Sequence, residues 1–142
     1  MGILNDLSFG WDSIGHVEKL VKEWKPRGCG TEKDYEKSLY NHLEKDMPGK
    51  ITMQYGMGRS KVDIAVGKKV FIELKKDMKN TNQLQRLIGQ IEIYSKDLNN
   101  IIIVLCGEVD KNLLKQLTDQ TKDYKGSIML FDKGFDCRIM EK

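Results

Sequence analysis

Cysteine is scarce. The chain holds three, Cys29, Cys106 and Cys137, an odd number with neither a CxxC pair nor a Cys/His metal spacing. That argues against a structural zinc site and for a reducing compartment. Arginine is scarce as well. Of 24 basic residues only Arg27, Arg59, Arg86 and Arg138 are arginines. Lysine meets a phosphate as a point charge and reads base edges poorly, so a nucleic acid would be held by its backbone more than by its sequence. A net charge of +3 and a pI near 8.7 permit such a partner without requiring it. Long apolar runs are missing: the longest, "IIIVLC" at 101–106, is far too short to span a bilayer, and no membrane association is expected. The opening "MGILNDLSFGWDSIG" has no basic region followed by an apolar run, so no signal peptide is read. Asp6 stands where a myristoylation motif wants Ser or Thr. The expected location is intracellular, in the cytoplasm. There is no internal repeat and no low-complexity segment.

What remains is an ordinary globular composition, 39% hydrophobic and 32% charged over 142 residues, enough for one domain with a real core. Apolar spacing predicts helices over 13–25, 31–46, 81–96 and 110–123. The second carries the stripe Tyr35, Leu39, Leu43, and the third carries Leu84, Leu87, Ile88, Ile91. Strands are expected at 50–55, with Ile51, Met53 and Tyr55 on one face, and at "NNIIIVLC" and "GSIMLF", both buried runs. "FDCRIM" reads as a closing edge strand, and "GMGRS" as a flexible loop. The order is helix, helix, three strands, helix, strand, helix, strand, strand. It implies an α/β fold: a mixed sheet, with a three-strand meander and helix-strand crossovers, flanked by helices on both faces.

The stretch "KVDIAVGKKVFIELKK", 61–76, carries the chemistry. With the turn at Gly67-Lys68-Lys69, Val66 pairs with Val70 and Asp63 lies opposite Glu73. One face then holds Ile64, Val66, Val70, Ile72 and Leu74. The other holds Asp63, Ala65, Phe71, Glu73 and Lys75. A register one residue away would mix the faces. Facing carboxylates repel by roughly 0.2–1 kcal/mol when exposed, and by more when buried. A divalent cation between them reverses the sign, and oxygen-only ligands suit Mg²⁺, which keeps several waters and leaves room for a phosphate. Lys75 beside them can hold a water or stabilise charge at phosphorus. The plain alternative is an exposed hairpin face with its acids paired to lysines. Against it, a central strand pair covered on both sides does not normally carry three charges without a use.

Asp63 and Glu73-Leu74-Lys75, preceded by the apolar "VFI", resemble the PD-(D/E)XK nuclease superfamily, the restriction-endonuclease-like fold, with "VD" in place of "PD". The helix, meander, helix, strand order over 31–106 is similar to the core of that family. Gln90-Ile91-Glu92-Ile93-Tyr94 resembles the Gln-x-x-x-Tyr element of its RecB-like branch. Gln83, Gln90 and Tyr94 fall within about 40° on a helical wheel. The resemblance implies a catalytic core at 31–106, a helical extension at 1–30 and a C-terminal helix and strands at 107–142, all within a single nuclease-like domain. It implies Mg²⁺ or Mn²⁺ held by Asp63, Glu73, the backbone carbonyl of Leu74 and a helix glutamate: Glu36 for choice, with Glu32 or Glu44 open. Lys75 would orient or activate water, Gln90 would join the catalytic group, and Gln83 and Tyr94 would face nucleic acid. Arg59 and Ser60 in the glycine loop are further candidates for the backbone. Lys76, also counted among the nucleic-acid contacts, has the wrong parity for the site and belongs on the opposite face or in solvent.

The implied reaction is hydrolysis of a DNA phosphodiester to 5′-phosphate and 3′-hydroxyl. The sequence leaves open endonuclease or exonuclease action, the DNA structure preferred, and RNA as substrate. Cutting both strands would need a homodimer with two sites. A binding or assembly module that kept the fold without catalysis is the alternative, and the retention of Asp63, Glu73 and Lys75 together argues against it. Trp11 and Trp24 read as packing or dimer anchors. His16 and His42 lack partner motifs.

Overall fold

The computed structural model describes residues 14–122 and 135–142. Four helices and five strands follow the expected order: α1 (Ile14–Glu23), α2 (Glu32–Asp46), β1 (Ile51–Met57), β2 (Ser60–Val66), β3 (Val70–Met78), α3 (Thr81–Asp97), β4 (Asn100–Val109), α4 (Lys111–Thr121) and β5 (Asp136–Glu141). The helix starts are set by side chains. Thr31 caps α2 through the Asp34 N–H while the Asp34 carboxylate accepts from the Thr31 N–H. Asn80 and Gln83 repeat that reciprocal box on α3, and Asp110 caps α4. Each cap satisfies N–H groups that the first turn leaves without a partner.

The strands form one mixed sheet in the order β1-β2-β3-β4-β5. β1, β2 and β3 are an antiparallel meander, and β4 and β5 add in parallel. Helices cover both faces. α1 and α2 pack Val17, Leu20, Val21, Leu39 and Leu43 against Ile64, Val66, Val70, Ile72, Leu74, Ile102 and Val104. On the other face α3 and α4 pack Leu84, Leu87, Ile91 and Leu117 against Ala65, Phe71, Ile101, Ile103 and Leu105. β4 contributes Ile101 to Leu105 without interruption because both of its faces are covered. Trp24 is buried in the first core, its indole N–H donating to Ser38 Oγ at 3.0 Å, as a packing anchor. No helix among the described residues is long and apolar enough to cross a membrane.

The hairpin register is as expected: Val66 pairs with Val70 and Ile64 with Ile72. Gly67 and Lys68 both take positive φ, and the Lys69 N–H closes the turn onto the Val66 carbonyl at 3.1 Å. Three details differ from the sequence reading. "GMGRS" is strand and tight turn, not a flexible loop. β1 runs to Met57, which pairs with Ser60 around a tight turn at Gly58 and Arg59. Ile51, Met53 and Tyr55 do not share a face: Ile51 lies in the first core and Tyr55 against the second, because Gln54 between them has φ +52. β4 runs beyond the expected "NNIIIVLC" to Val109, and Asp110 caps the helix that follows. The strand expected at "GSIMLF", and Trp11, lie outside the described residues.

Candidate active site

The β2–β3 ladder is paired from Val66–Val70 to Ile64–Ile72. Beyond it, the backbone of Leu74 turns to a side chain: its N–H donates to Asp63 Oδ2 at 2.8 Å. This bond fixes Asp63 beside the third strand. Glu73 alternates with Ile72 and Leu74 of the first core, which directs it to the α3 side of the sheet. It is only 5% exposed. Lys75 Nζ lies 3.3 Å from Glu73 Oε2, while Glu73 Oε1 is buried with no hydrogen-bond partner. The acid–acid–lysine group read from the sequence therefore comes together, at the end of a paired ladder and not on an exposed hairpin face.

Glu36 arrives from α2. It is buried, and its Oε1 accepts from Gln54 Nε2 at 2.8 Å. The same Gln54 nitrogen lies 3.4 Å from Asp63 Oδ1. The two other glutamates weighed for this place are engaged elsewhere: Glu32 Oε2 accepts from the Lys76 N–H, and Glu44 Oε1 from the Gly49 N–H. Gln54 itself was not among the residues singled out from the sequence. Its position across from Asp63 follows from the register, since Met53 pairs with Ile64 and Tyr55 with Val62.

Electrostatics follow from the crowding. Burial, then the charge of Asp63, pushes the Glu73 carboxyl from its ordinary 4.5 up to about 7, against the pull of Lys75. Burial likewise raises Asp63. The Leu74 N–H opposes this, Glu36 adds to it, and Gln54 and Lys75 oppose it more weakly. Tyr94 is raised by burial and by the neighbouring Glu73 and Asp63 charges, so its phenol stays protonated.

The remaining expected residues separate. Gln90 lies with Lys75, Lys76, Gln83 and Arg86 along a groove of about 410 Å³, with its side-chain carbonyl buried and unpartnered. Gln83 borders that groove, but its carbonyl accepts from the Lys79 and Asn80 N–H groups, because it serves the α3 cap. Tyr94 is buried, its hydroxyl 3.5 Å from the Lys61 carbonyl, and is not presented to a ligand from solution. Ser60 is buried too, donating to Asp97 Oδ2 at 2.9 Å, and the Arg59 N–H donates to the same oxygen. Asp97, held low by these donors, thus ties the β1–β2 turn to the end of α3. Lys76 pairs with Asp77 at 2.6 Å and borders the same groove as Lys75. A second groove, about 550 Å³, runs past Glu36 and Gln54 between Lys33, Lys37, Tyr40 and Met53. Sequence signal for this flank existed in the i, i+4 lysines of α2.

Among the described residues, no three His, Cys, Asp or Glu side chains stand together as a ready metal cage. No family model, curated protein or solved structure matches this chain.

Proposed function

We propose that this chain is a metal-dependent phosphodiesterase of the PD-(D/E)XK type, acting on DNA to leave 5′-phosphate and 3′-hydroxyl ends. One observation carries the reading: Asp63, Glu73 and Lys75 meet where the β2–β3 ladder ends, with Glu73 buried and one of its oxygens without a partner. Unpaired buried carboxylate is costly, and such groups concentrate at working sites. The run from α2 to β4 also has the order of the restriction-endonuclease-like core.

The donor set fits a hard cation. Mg²⁺ is typically held by one or two carboxylates plus water and substrate phosphate, without an all-protein cage. Asp63, Glu73 and the Leu74 carbonyl would hold it, with Glu36 directly or through water. When bound, the ion lowers the pKa of a water and offsets charge on the phosphate. Lys75 keeps Glu73 oriented through their 3.3 Å pair and presents its other N–H groups to a water or a phosphoryl oxygen. Tyr94 stays a neutral donor behind Glu73 and takes no part as a base. The groove lined by Lys75, Arg86 and Gln90 and the separate groove lined by Lys33, Lys37 and Glu36 supply cations that would meet the phosphates of a bound strand.

The test is cleavage of plasmid, single-stranded and four-way-junction DNA with Mg²⁺ or with chelator. Cleavage that needs the metal and disappears in both Asp63→Ala and Lys75→Ala is the expected result. Cutting that survives in both variants rejects this site, and no metal-dependent cutting of any substrate rejects the enzyme.

A further inference from the structure

We infer that Gln54 is a positioning residue, which clamps Glu36 of α2 to Asp63 of β2 and so sets the acid constellation. The inference rests on the nuclease reading for its purpose, and on geometry for its substance. Gln54 is a non-glycine residue with φ +52, inside a strand. Left-handed backbone disfavours a side chain with a Cβ, and it persists where the surroundings hold it. Its side-chain nitrogen donates to Glu36 Oε1 at 2.8 Å and reaches Asp63 Oδ1 at 3.4 Å. A neutral amide with two N–H groups joins two carboxylates that would otherwise repel.

The backbone irregularity serves this contact. Ile51 lies in the first core and Tyr55 against the second. Across from them, Ile64 and Val66 lie in the first core and Val62 in the second. Both strands change face at the Gln54–Asp63 position. A regular pleat would place these two side chains on a sheet face with their neighbours, one layer removed from an α2 glutamate or buried beneath it. The left-handed residue releases Gln54 from that alternation and lets one amide reach both an α2 acid and a β2 acid. The other charged or titratable groups around Asp63 are Glu73 and Lys75 of β3 and Tyr94 of α3. None of them bonds Glu36 among the described residues. Without Gln54, nothing seen there ties Glu36 to the hairpin.

The experiment compares the parent with Gln54→Gly, Gln54→Met, Glu36→Gln and the Gln54→Gly/Glu36→Gln double variant. Glycine accepts the left-handed backbone, and methionine keeps the length and the strain but has no amide. Thermal melting and binding of Mg²⁺ alone, by calorimetry, are read on each. Gln54→Gly is expected to melt close to the parent yet bind Mg²⁺ about tenfold more weakly, and Gln54→Met to bind as weakly as the glycine variant. Glu36→Gln should give a similar loss, and the double variant no more than either single change, because both act through one contact. Parent-like Mg²⁺ binding in Gln54→Gly and Gln54→Met, or losses that add, overturns the clamp. Failure of the parent to bind Mg²⁺ removes the metal reading and leaves the clamp to the same cycle in unfolding free energy: non-additive changes uphold it and additive ones overturn it.

Discussion

Replacing Glu73 by glutamine should make the metal-free protein more stable at pH 8 and leave it nearly unchanged at pH 5. The folded carboxyl titrates near 7 and its ordinary value is 4.5. Between those values the folded chain keeps a proton that the unfolded chain has released. Stability therefore falls as pH rises from about 4.5 to about 7 and levels off above, once both states are ionised. The difference corresponds to about 3 kcal/mol at ~1.4 kcal/mol per pH unit. Glu73 shares this titration with Asp63, and glutamine forfeits the Lys75 pair, so a gain of about 1–2 kcal/mol is expected at pH 8. The assay is denaturant unfolding of both proteins with chelator at pH 5, 6, 7 and 8, then at pH 8 with saturating Mg²⁺. Added Mg²⁺ should reverse the order, because only the parent gains the binding free energy. A Glu73→Gln protein that loses as much stability at pH 8 as at pH 5 would show that the ionised carboxylate is well satisfied in the fold, and the argument from burial and like charge would fail.

Other outcomes follow from the same geometry. Mg²⁺ affinity should rise about tenfold per pH unit below pH 7 and level off above, as Glu73 loses its competing proton, which calorimetry at stepped pH will read. Asp63→Ala and Lys75→Ala should each lower the cleavage rate by about 10²-fold or more while leaving circular dichroism unchanged. Changing both Lys33 and Lys37 to alanine should reduce the slope of log affinity against log salt for DNA by about 1–2 with the fold intact, since each lysine along the 550 Å³ groove neutralises at most one phosphate. Gly107→Ala should cost about 1–2 kcal/mol in denaturant unfolding, because Gly107 has φ +72, a left-handed conformation that a Cβ disfavours, and the added Cβ would press on Asp77 Oδ1.

Much of the molecule was legible because one rule governs most of it. In β2 and β3, alternation placed Ile64, Val66, Val70, Ile72 and Leu74 in one core and Ala65 and Phe71 in the other, and the turn chemistry at Gly67 fixed the register. With the register came the neighbourhood of Asp63 and Glu73. Helix α2 was legible from its stripe, and with it a glutamate near the site. Which glutamate could not be read from α2 alone, because Glu32, Glu36 and Glu44 are sorted by partners on other elements: the Lys76 N–H, Gln54 and the Gly49 N–H. Gln83 looked equivalent to Gln90 on a helical wheel, but a wheel does not register that the third residue of a helix is spent on its cap.

The failures of alternation are not scattered. They fall at Gln54 and the Asp63 across from it, and at Asp77; Gln54 and Asp77 are non-glycine residues with positive φ on the strands either side of β2. After Asp77, β3 shifts register against β4 and Met78 joins the second core; before Gln54, β1 follows the first core and after it the second. A strictly pleated meander would keep every side chain above or below the sheet, under α2 or under α3, with charges either buried beneath a helix or displayed on a bare face. Adding an acid from α2 to the acid of β2 requires β1 to leave that pattern at Gln54. Regular alternation brings Asp63, Glu73 and Lys75 together, and the departure at Gln54 that hid this residue from the sequence pattern is the one that lets its amide join Glu36 of α2 to Asp63.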